Sequence, residues 1–329
     1  MKQICMIGEG AWGTAIATVL AANGHQVRLW CHNQIVCDEI IRTGHNKRYL
    51  PGIALSPLIQ PTASFSQAIK GADWIFEAVP VQFLRSVLQN NRAIIANEVS
   101  KDQSWVILSK GIEQDSLLFP AQILDDVCGY TVKKAVLSGP SFAKDVATQQ
   151  ITGITIASDD NVIVHALHEL LANSFFKPHI TTDMIGVQVG AAVKNVIALG
   201  IGILKGAGYT DNTQAFIFTQ GLHEMALLVK ALGGSIDTVY GLSGVGDLVL
   251  TSMGALGRNM EVGYRLGSGE SLQKILDDTG YIPEGINTLK SVNQLASKHS
   301  IELPICRGFY DVVFGSVALS EMLARLMQS

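Results

Sequence analysis

Residues 4–13, ICMIGEGAWG, decide the fold. Residues 4–7 are a short apolar run with strand character. The run ends in Gly8-Glu9-Gly10-Ala11-Trp12-Gly13, a match to G-x-G-x-x-G. Residues 12–23 then read as a helix stopped by Gly24, and residues 26–31 as a second strand. Strand, glycine spacing and helix in that order make a βαβ unit that binds dinucleotides. In such a unit Gly8 permits the tight turn, Gly10 lets the backbone approach a pyrophosphate, and Gly13 lets helix and strand pack closely. The helix opening at Ala11 and Trp12 offers unpaired N–H groups and a partial positive charge to the phosphates. A strand–helix turn with glycines for packing alone is the plainer alternative; the placement directly after a strand favours the cofactor. Glu9 is awkward, because a carboxylate near a pyrophosphate is repelled unless it points away.

An acid about 20 residues past the glycines would bind the 2′-hydroxyl of NAD, and an Arg there would suit the 2′-phosphate of NADP. The chain has neither: it reads Leu29-Trp30-Cys31-His32-Asn33. His32 and Asn33 are able to donate to either ribose, or are ordinary loop residues. The reading inclines to NADP(H), with NAD(H) accepted.

Outward from this unit, residues 73–79, 105–109, 135–138 and 154–157 read as strands, and 82–90, 119–127 and 162–173 as helices. Such alternation predicts a mostly parallel, doubly wound sheet. Past residue 183 only helical patterns remain: 185–204, 212–232, 258–266, 271–277, 284–297 and 307–314. The expected architecture is therefore an α/β Rossmann-type domain over 1–182 followed by an all-α domain over 183–329. A chain of 329 residues suits two such cores.

Composition narrows the function. Apolar residues make up 48% and charged residues 16%, which predicts a packed globular protein. The net charge is −4 with no long basic block, so nucleic acid is not an expected partner. The start MKQICMIGEG lacks the pattern of a secretory signal. The most apolar segment, 184–204, carries Gln188, Lys194 and Asn195, which argues against a membrane span. Five scattered cysteines without zinc spacing predict reduced thiols in the cytoplasm and no metal site.

Four polar segments stand out. Ser109-Lys110-Gly111 and Ser138-Gly139-Pro140-Ser141-Phe142-Ala143 each follow a predicted strand, at the edge where open α/β sheets bind ligands. A solvated lysine and a plain N-cap at Ser141 are the structural alternatives. Lys194-Asn195 lies inside an apolar helix, where burial lowers an amine's pKa and fits it for proton transfer near neutral pH. Snorkelling from a helix edge is the alternative. Residues 241–248, GLSGVGDL, continue to Thr251 and to Gly257-Arg258-Asn259. Asp247 there is a candidate partner for Lys194, Thr251 a candidate support, and Arg258 a planar fork for a phosphate. A glycine-rich surface loop with a solvated Arg is the alternative.

Together these segments closely resemble bacterial NAD(P)-dependent glycerol-3-phosphate dehydrogenases over nearly the full length. The resemblance rests on the glycine start, on NxxYLPG at 46–52, on AVP at 78–80, and on SKG and SGPSFA. It rests further on the KN helix, GLxGxGDLxxT, GRN and PEG at 283–285. It implies reversible reduction of dihydroxyacetone phosphate to sn-glycerol 3-phosphate, the precursor for phospholipid synthesis, and a homodimer. It implies that Lys194 is the proton donor and acceptor. Lys110, Gly139, Ser141, Asp247, Gly257, Arg258 and Asn259 then contact substrate; Trp12, Tyr49, Lys110, Ala143, Arg258, Ile282 and Glu284 contact the cofactor. The chain departs from the family where His32 replaces an Arg, Gln188 a Glu, Ala191 a Gly, Gly257 a Ser, and Ser252-Met253 a Cys-Thr pair. The first departure bears on NADP preference. One rival is a two-domain dehydrogenase of another hydroxy acid, of the β-hydroxyacid or ketopantoate type, which would not need the GRN segment for a phosphate. A non-catalytic nucleotide sensor is another, but a sensor has no use for a buried proton donor.

Overall fold

Eight strands form one sheet: β1 (Gln3–Ile7), β2 (Gln26–Trp30), β3 (Ile59–Thr62), β4 (Trp74–Glu77), β5 (Ser104–Ile107), β6 (Lys134–Ser138), β7 (Thr152–Ala157) and β8 (Phe176–Thr181). The computed structural model describes residues 1–100, 103–253, 257–315 and 317–328. The strand order is β3-β2-β1-β4-β5-β6-β7-β8. Neighbours run parallel except β6 and β7, which pair antiparallel with Val136 opposite Ala157. The inner strands are buried on both faces, as parallel sheets require, and Ile4, Cys5, Met6 and Ile7 are wholly inaccessible. Strand order reverses between β1 and β4, and ligands of open α/β sheets bind in the crevice at such a reversal.

β3 and β8 are the two strands that the sequence pattern does not announce. Both lie at the sheet's edges, and each carries a proline, Pro61 or Pro178. A proline cannot complete a ladder on both sides, so it lowers strand character while remaining compatible with an edge.

The chain divides into two compact units, residues 1–109 with 120–184, and residues 110–119 with 185–329. Each has its own apolar core. In the first, Ile4, Ile16, Leu20, Val106 and Ile156 pack the helices against the sheet. In the second, Val193, Ile197, Ile217, Leu248 and Phe309 join helices. The sequence boundary near 182 does not anticipate that 110–119 belongs with the helical unit. Ile112 and Phe119, both buried in the second core, account for the excursion.

From residue 185 on, the regular elements of the second unit are all helical among the described residues. They include Met184–Gly206, Asp211–Ala231, Arg258–Gly267, Leu272–Thr279, Glu284–His299 and Pro304–Phe314, in the places the sequence predicts. The helix Met184–Gly206 is long and apolar enough to cross a membrane, but its apolar window is entirely buried, as befits a core helix. Residues 241–248 are not the glycine-rich surface loop of the alternative reading: they form a π-helical turn, Leu242–Gly246, that runs into the helix Asp247–Met253. Short π-helical turns recur at functional sites.

Candidate active site

In the first unit the glycine turn is built as a backbone cradle. Gly8 holds φ +113°, and a Cβ there would lie 3.0 Å from the Ala78 carbonyl oxygen beyond β4. A Cβ at Gly13 would lie 2.4 Å from the carbonyl oxygen of Gly8, so the helix Ala11–Ala22 touches the turn directly. Gly10 differs: a Cβ there meets no protein atom within 4 Å. Its missing side chain therefore leaves space outside the protein rather than inside it. Gly10 caps that helix without any side-chain bond, which leaves the first-turn N–H groups facing this space. The indole N–H of Trp12 is buried and has no hydrogen-bond partner among the described residues. Open space, uncapped N–H groups and an orphaned donor fit the pyrophosphate arm of a dinucleotide.

Asn46, which sequence reasoning gave no role, locks this turn. Its side-chain amide donates to the Glu9 carbonyl at 2.7 Å and to Thr14 Oγ1 at 2.9 Å, and the Thr14 hydroxyl donates to the same carbonyl. A wholly buried asparagine in a loop is a recognisable signal of such a role. Glu9 itself is buried, and its side chain turns to the end of β2. There Oε2 accepts from the His32 backbone N–H and Oε1 from that of Asn33, each at 3.1 Å. The Asn33 side chain serves as the N-cap of the helix Gln34–Thr43, accepting from Ile35 and Val36. The ring of His32 stands edge-on to Trp30 with centroids 5.8 Å apart.

The other first-unit candidates are more exposed. Tyr49 lies under Arg48, whose guanidinium sits 5.3 Å from the ring centroid. Ser141 is not the plain N-cap of the alternative reading: its hydroxyl donates to the Gly139 carbonyl at 2.9 Å, and Phe142 occupies the cap of the helix Ala143–Ala147. At the end of β4, Glu77 is buried and accepts from the Val79 N–H and the Ser109 hydroxyl. Burial pushes its carboxyl up to about 8, although both of these bonds pull the other way.

In the second unit, three charged residues from distant parts of the chain meet. Lys194 Nζ donates to Asp247 Oδ1 at 2.6 Å and to Thr251 Oγ1 at 3.0 Å. Lys110 Nζ donates to the other carboxylate oxygen, Asp247 Oδ2, at 2.8 Å. The Thr251 hydroxyl in turn donates to the Asp247 carbonyl. Lys194 is 6% exposed and Asp247 1%, so snorkelling is ruled out for this lysine. Helix Met184–Gly206 admits the cluster through Gly190, where a Cβ would lie 2.4 Å from the Ser243 carbonyl oxygen. That close approach brings the π-helical turn, and Asp247 after it, against the lysine.

Electrostatics separate the partners. Burial is the largest influence on Lys194 and lowers its pKa; Lys110 lowers it further, while Asp247 raises it, and the balance lies at about 8. Burial pushes Asp247 up, but the two ammonium groups outweigh it and hold the carboxylate below its usual range. A single carboxylate between two lysines thus leaves one buried amine able to gain or lose a proton near neutral pH.

Asn195, the next residue on the same helix, starts a second chain of bonds. Its amide donates to Glu284 Oε2 at 3.1 Å, and its Oδ1 accepts from the Asn259 amide at 3.0 Å. Asn259 Oδ1 accepts from the Gly285 N–H. Gly257 caps the helix Arg258–Gly267, and a Cβ there would approach the Thr251 carbonyl oxygen to 3.0 Å. Arg258 is exposed, stacks over Tyr281 at 5.6 Å, and makes no ion pair among the described residues. Ile282 is 47% exposed beside Glu284. Within the described residues no group of three His, Cys, Asp or Glu side chains is placed to hold a metal ion.

Comparisons with known proteins agree over the whole chain. The model of the NAD-dependent glycerol-3-phosphate dehydrogenase N-terminus matches residues 3–164, and that of the C-terminus matches residues 183–324. A Bacillus velezensis protein named glycerol-3-phosphate dehydrogenase (NAD(P)+) is 40% identical over 99% of this chain and 94% of its own. One of the same name from Lactiplantibacillus plantarum is 39% identical, covering 100% of this chain and 97% of its own. A crystal structure titled glycerol-3-phosphate dehydrogenase from Coxiella burnetii superposes with a TM-score of 0.92 at 31% identity, covering 100% of this chain and 99% of that one.

Proposed function

We propose that this chain, which belongs to the NAD-dependent glycerol-3-phosphate dehydrogenase family, interconverts dihydroxyacetone phosphate and sn-glycerol 3-phosphate. It is an oxidoreductase that uses NAD(H) or NADP(H). The observation that carries the chemistry is the buried Lys194 amine, held 2.6 Å from Asp247 and poised at about 8. The first unit holds the dinucleotide, through the Gly8–Gly13 cradle, Trp12, the end of β2, Tyr49 and Ala143. The bound dinucleotide supplies hydride to C2 of the ketone or takes it back.

The rest of the reaction belongs to the second unit's own side chains. In reduction the Lys194 ammonium gives its proton to the oxygen on C2, offsetting the negative charge that develops there. In oxidation the neutral amine removes the hydroxyl proton from the same oxygen. Asp247 and Thr251 hold the amine's direction, and Lys110 supplies positive charge to the shared carboxylate. Asn195, fixed by Glu284 and Asn259, keeps its stretch of helix in register. Arg258 and Asn259 take the phosphate, and Gly257 contributes backbone where relatives carry a hydroxyl.

The product feeds phospholipid synthesis, in a cytoplasmic homodimer. The five cysteines are free thiols, in accord with a reducing compartment. A dehydrogenase of an unphosphorylated hydroxy acid would share the cradle and the lysine. The exposed guanidinium of Arg258, without an ion pair among the described residues, favours the phosphorylated substrate. Loss of reduced-nicotinamide absorbance with dihydroxyacetone phosphate and with dihydroxyacetone decides between them. The phosphate ester is expected to react at least ~100-fold faster, because its anchor positions the reacting carbon. Equal rates would refute the phosphate-anchored reading.

A further inference from the structure

We infer that Glu9 sets the cofactor's ribose subsite: its carboxylate, fixed at the end of β2, makes the enzyme select NAD(H) over NADP(H). The inference rests on the dinucleotide reading of the first unit and goes beyond it in naming the residue that chooses. In a βαβ cofactor unit the residue that discriminates stands about 20 residues past the glycines, at the end of the second strand. In this chain that place is His32-Asn33, and neither residue is an acid or an Arg. The fold supplies the acid from elsewhere. Glu9, from within the glycine turn, extends its side chain to this place and is pinned there by two backbone N–H groups, those of His32 and Asn33, at 3.1 Å each.

Two consequences follow for a 2′-phosphate. The backbone donors that would cradle it are already satisfied by a carboxylate. It would also meet a fixed negative charge at short range, where like charges repel strongly because water is partly excluded. An unphosphorylated ribose has the opposite experience. Its hydroxyls are donors, and a carboxylate oxygen that accepts one backbone N–H keeps a lone pair for another. Two side chains of the second strand and the turn after it are already engaged. Asn33 spends its carbonyl oxygen on capping the next helix, and Arg28 on β2 donates to the Gln67 carbonyl at 2.7 Å. The locked turn fixes the backbone from which Glu9 reaches, since its carbonyl is held by Asn46 and Thr14, and the side chain itself is buried. The sequence read without the fold inclines to NADP(H); contact between residues 9 and 32–33 reverses that inclination.

The test uses ligands without a nicotinamide, so that it reads the subsite and not turnover. Affinities of the full chain for ADP-ribose and for 2′-phospho-ADP-ribose are measured by titration calorimetry, for the wild type, Glu9→Gln and Glu9→Ala. The wild type is expected to bind ADP-ribose at least ~10-fold more tightly than its 2′-phosphate. Glu9→Gln, which keeps the side chain's shape, is expected to shrink that ratio about 10-fold, and Glu9→Ala, which also frees the two N–H groups, at least as much. A wild type that binds the 2′-phosphate equally well or better overturns the inference, and needs no variant to do so. An unchanged ratio in folded variants overturns it too, while leaving the dinucleotide reading intact. If neither ligand binds the wild type, the dinucleotide reading itself fails and takes this inference with it.

Discussion

The cradle at Gly8–Gly13 and the cluster around Asp247 are made of opposite materials. The cradle is backbone: N–H groups, one open glycine and two glycines that permit close approach, locked by neutral bonds from Asn46 and Thr14. The cluster is side chain: two ammonium groups and a hydroxyl around one buried carboxylate. A site of backbone groups is indifferent to pH and sensitive to a single added methyl. A site of buried charges tolerates shape changes better but depends on every charge and on proton concentration. Binding a cofactor of fixed charge suits the first kind, and moving a proton requires the second.

Removing Lys194 is the most severe way to probe this division. Lys194→Ala is expected to lower kcat by ~100-fold or more, because proton transfer is lost. Asp247 keeps Lys110 as its partner, so the fold and the dinucleotide affinity should stay near wild type, as read by thermal unfolding and by nicotinamide fluorescence. Loss of cofactor binding in that variant would erase the distinction between the two sites.

The glycines sharpen the comparison from the other side. Gly10→Ala places a methyl in open space at an ordinary backbone conformation, φ −58°. It should leave the unfolding temperature unchanged and weaken dinucleotide binding about 10-fold or more. Gly13→Ala drives a methyl against the Gly8 carbonyl and should destabilise the fold itself by about 1–3 kcal/mol. If both variants lost stability and kept affinity, the cradle would be packing and no more.

Glu77 supplies the smallest effect and an exception, a titrating group inside the backbone-built unit. Burial raises its carboxyl from 4.5 to about 8. Between those values the folded protein keeps a proton that the unfolded chain has lost, so stability should fall as pH rises through that window. Comparing unfolding temperatures against pH for the wild type and Glu77→Gln checks this. The variant should be the flatter, and should gain on the wild type by on the order of 2 kcal/mol towards pH 8. Parallel curves would show that Glu77 does not titrate there.

The same contrast explains what could be read from the chain alone. The cradle is legible because its parts are consecutive: strand, three glycines and helix lie within residues 3–22. Inner strands are legible because burial on both faces leaves an apolar run. β3 and β8 are not, since edge strands admit proline and polar residues. Lys194 is visible as a charge in an apolar helix, and Asp247 as its candidate partner. That Lys110 shares the same carboxylate is not visible, because 137 residues separate the two. Nor is the reach of Glu9 to His32 and Asn33, which depends on how β1 and β2 lie side by side.

The most direct test is the pH dependence of kcat in both directions of the reaction, with cofactor and substrate saturating. A single buried amine poised at about 8 must be protonated to reduce and neutral to oxidise. The rate of ketone reduction should therefore fall as pH rises through about 8, and the rate of glycerol 3-phosphate oxidation should rise through the same pH. Profiles flat across that range, or both moving in the same direction, would contradict the assignment of proton transfer to Lys194.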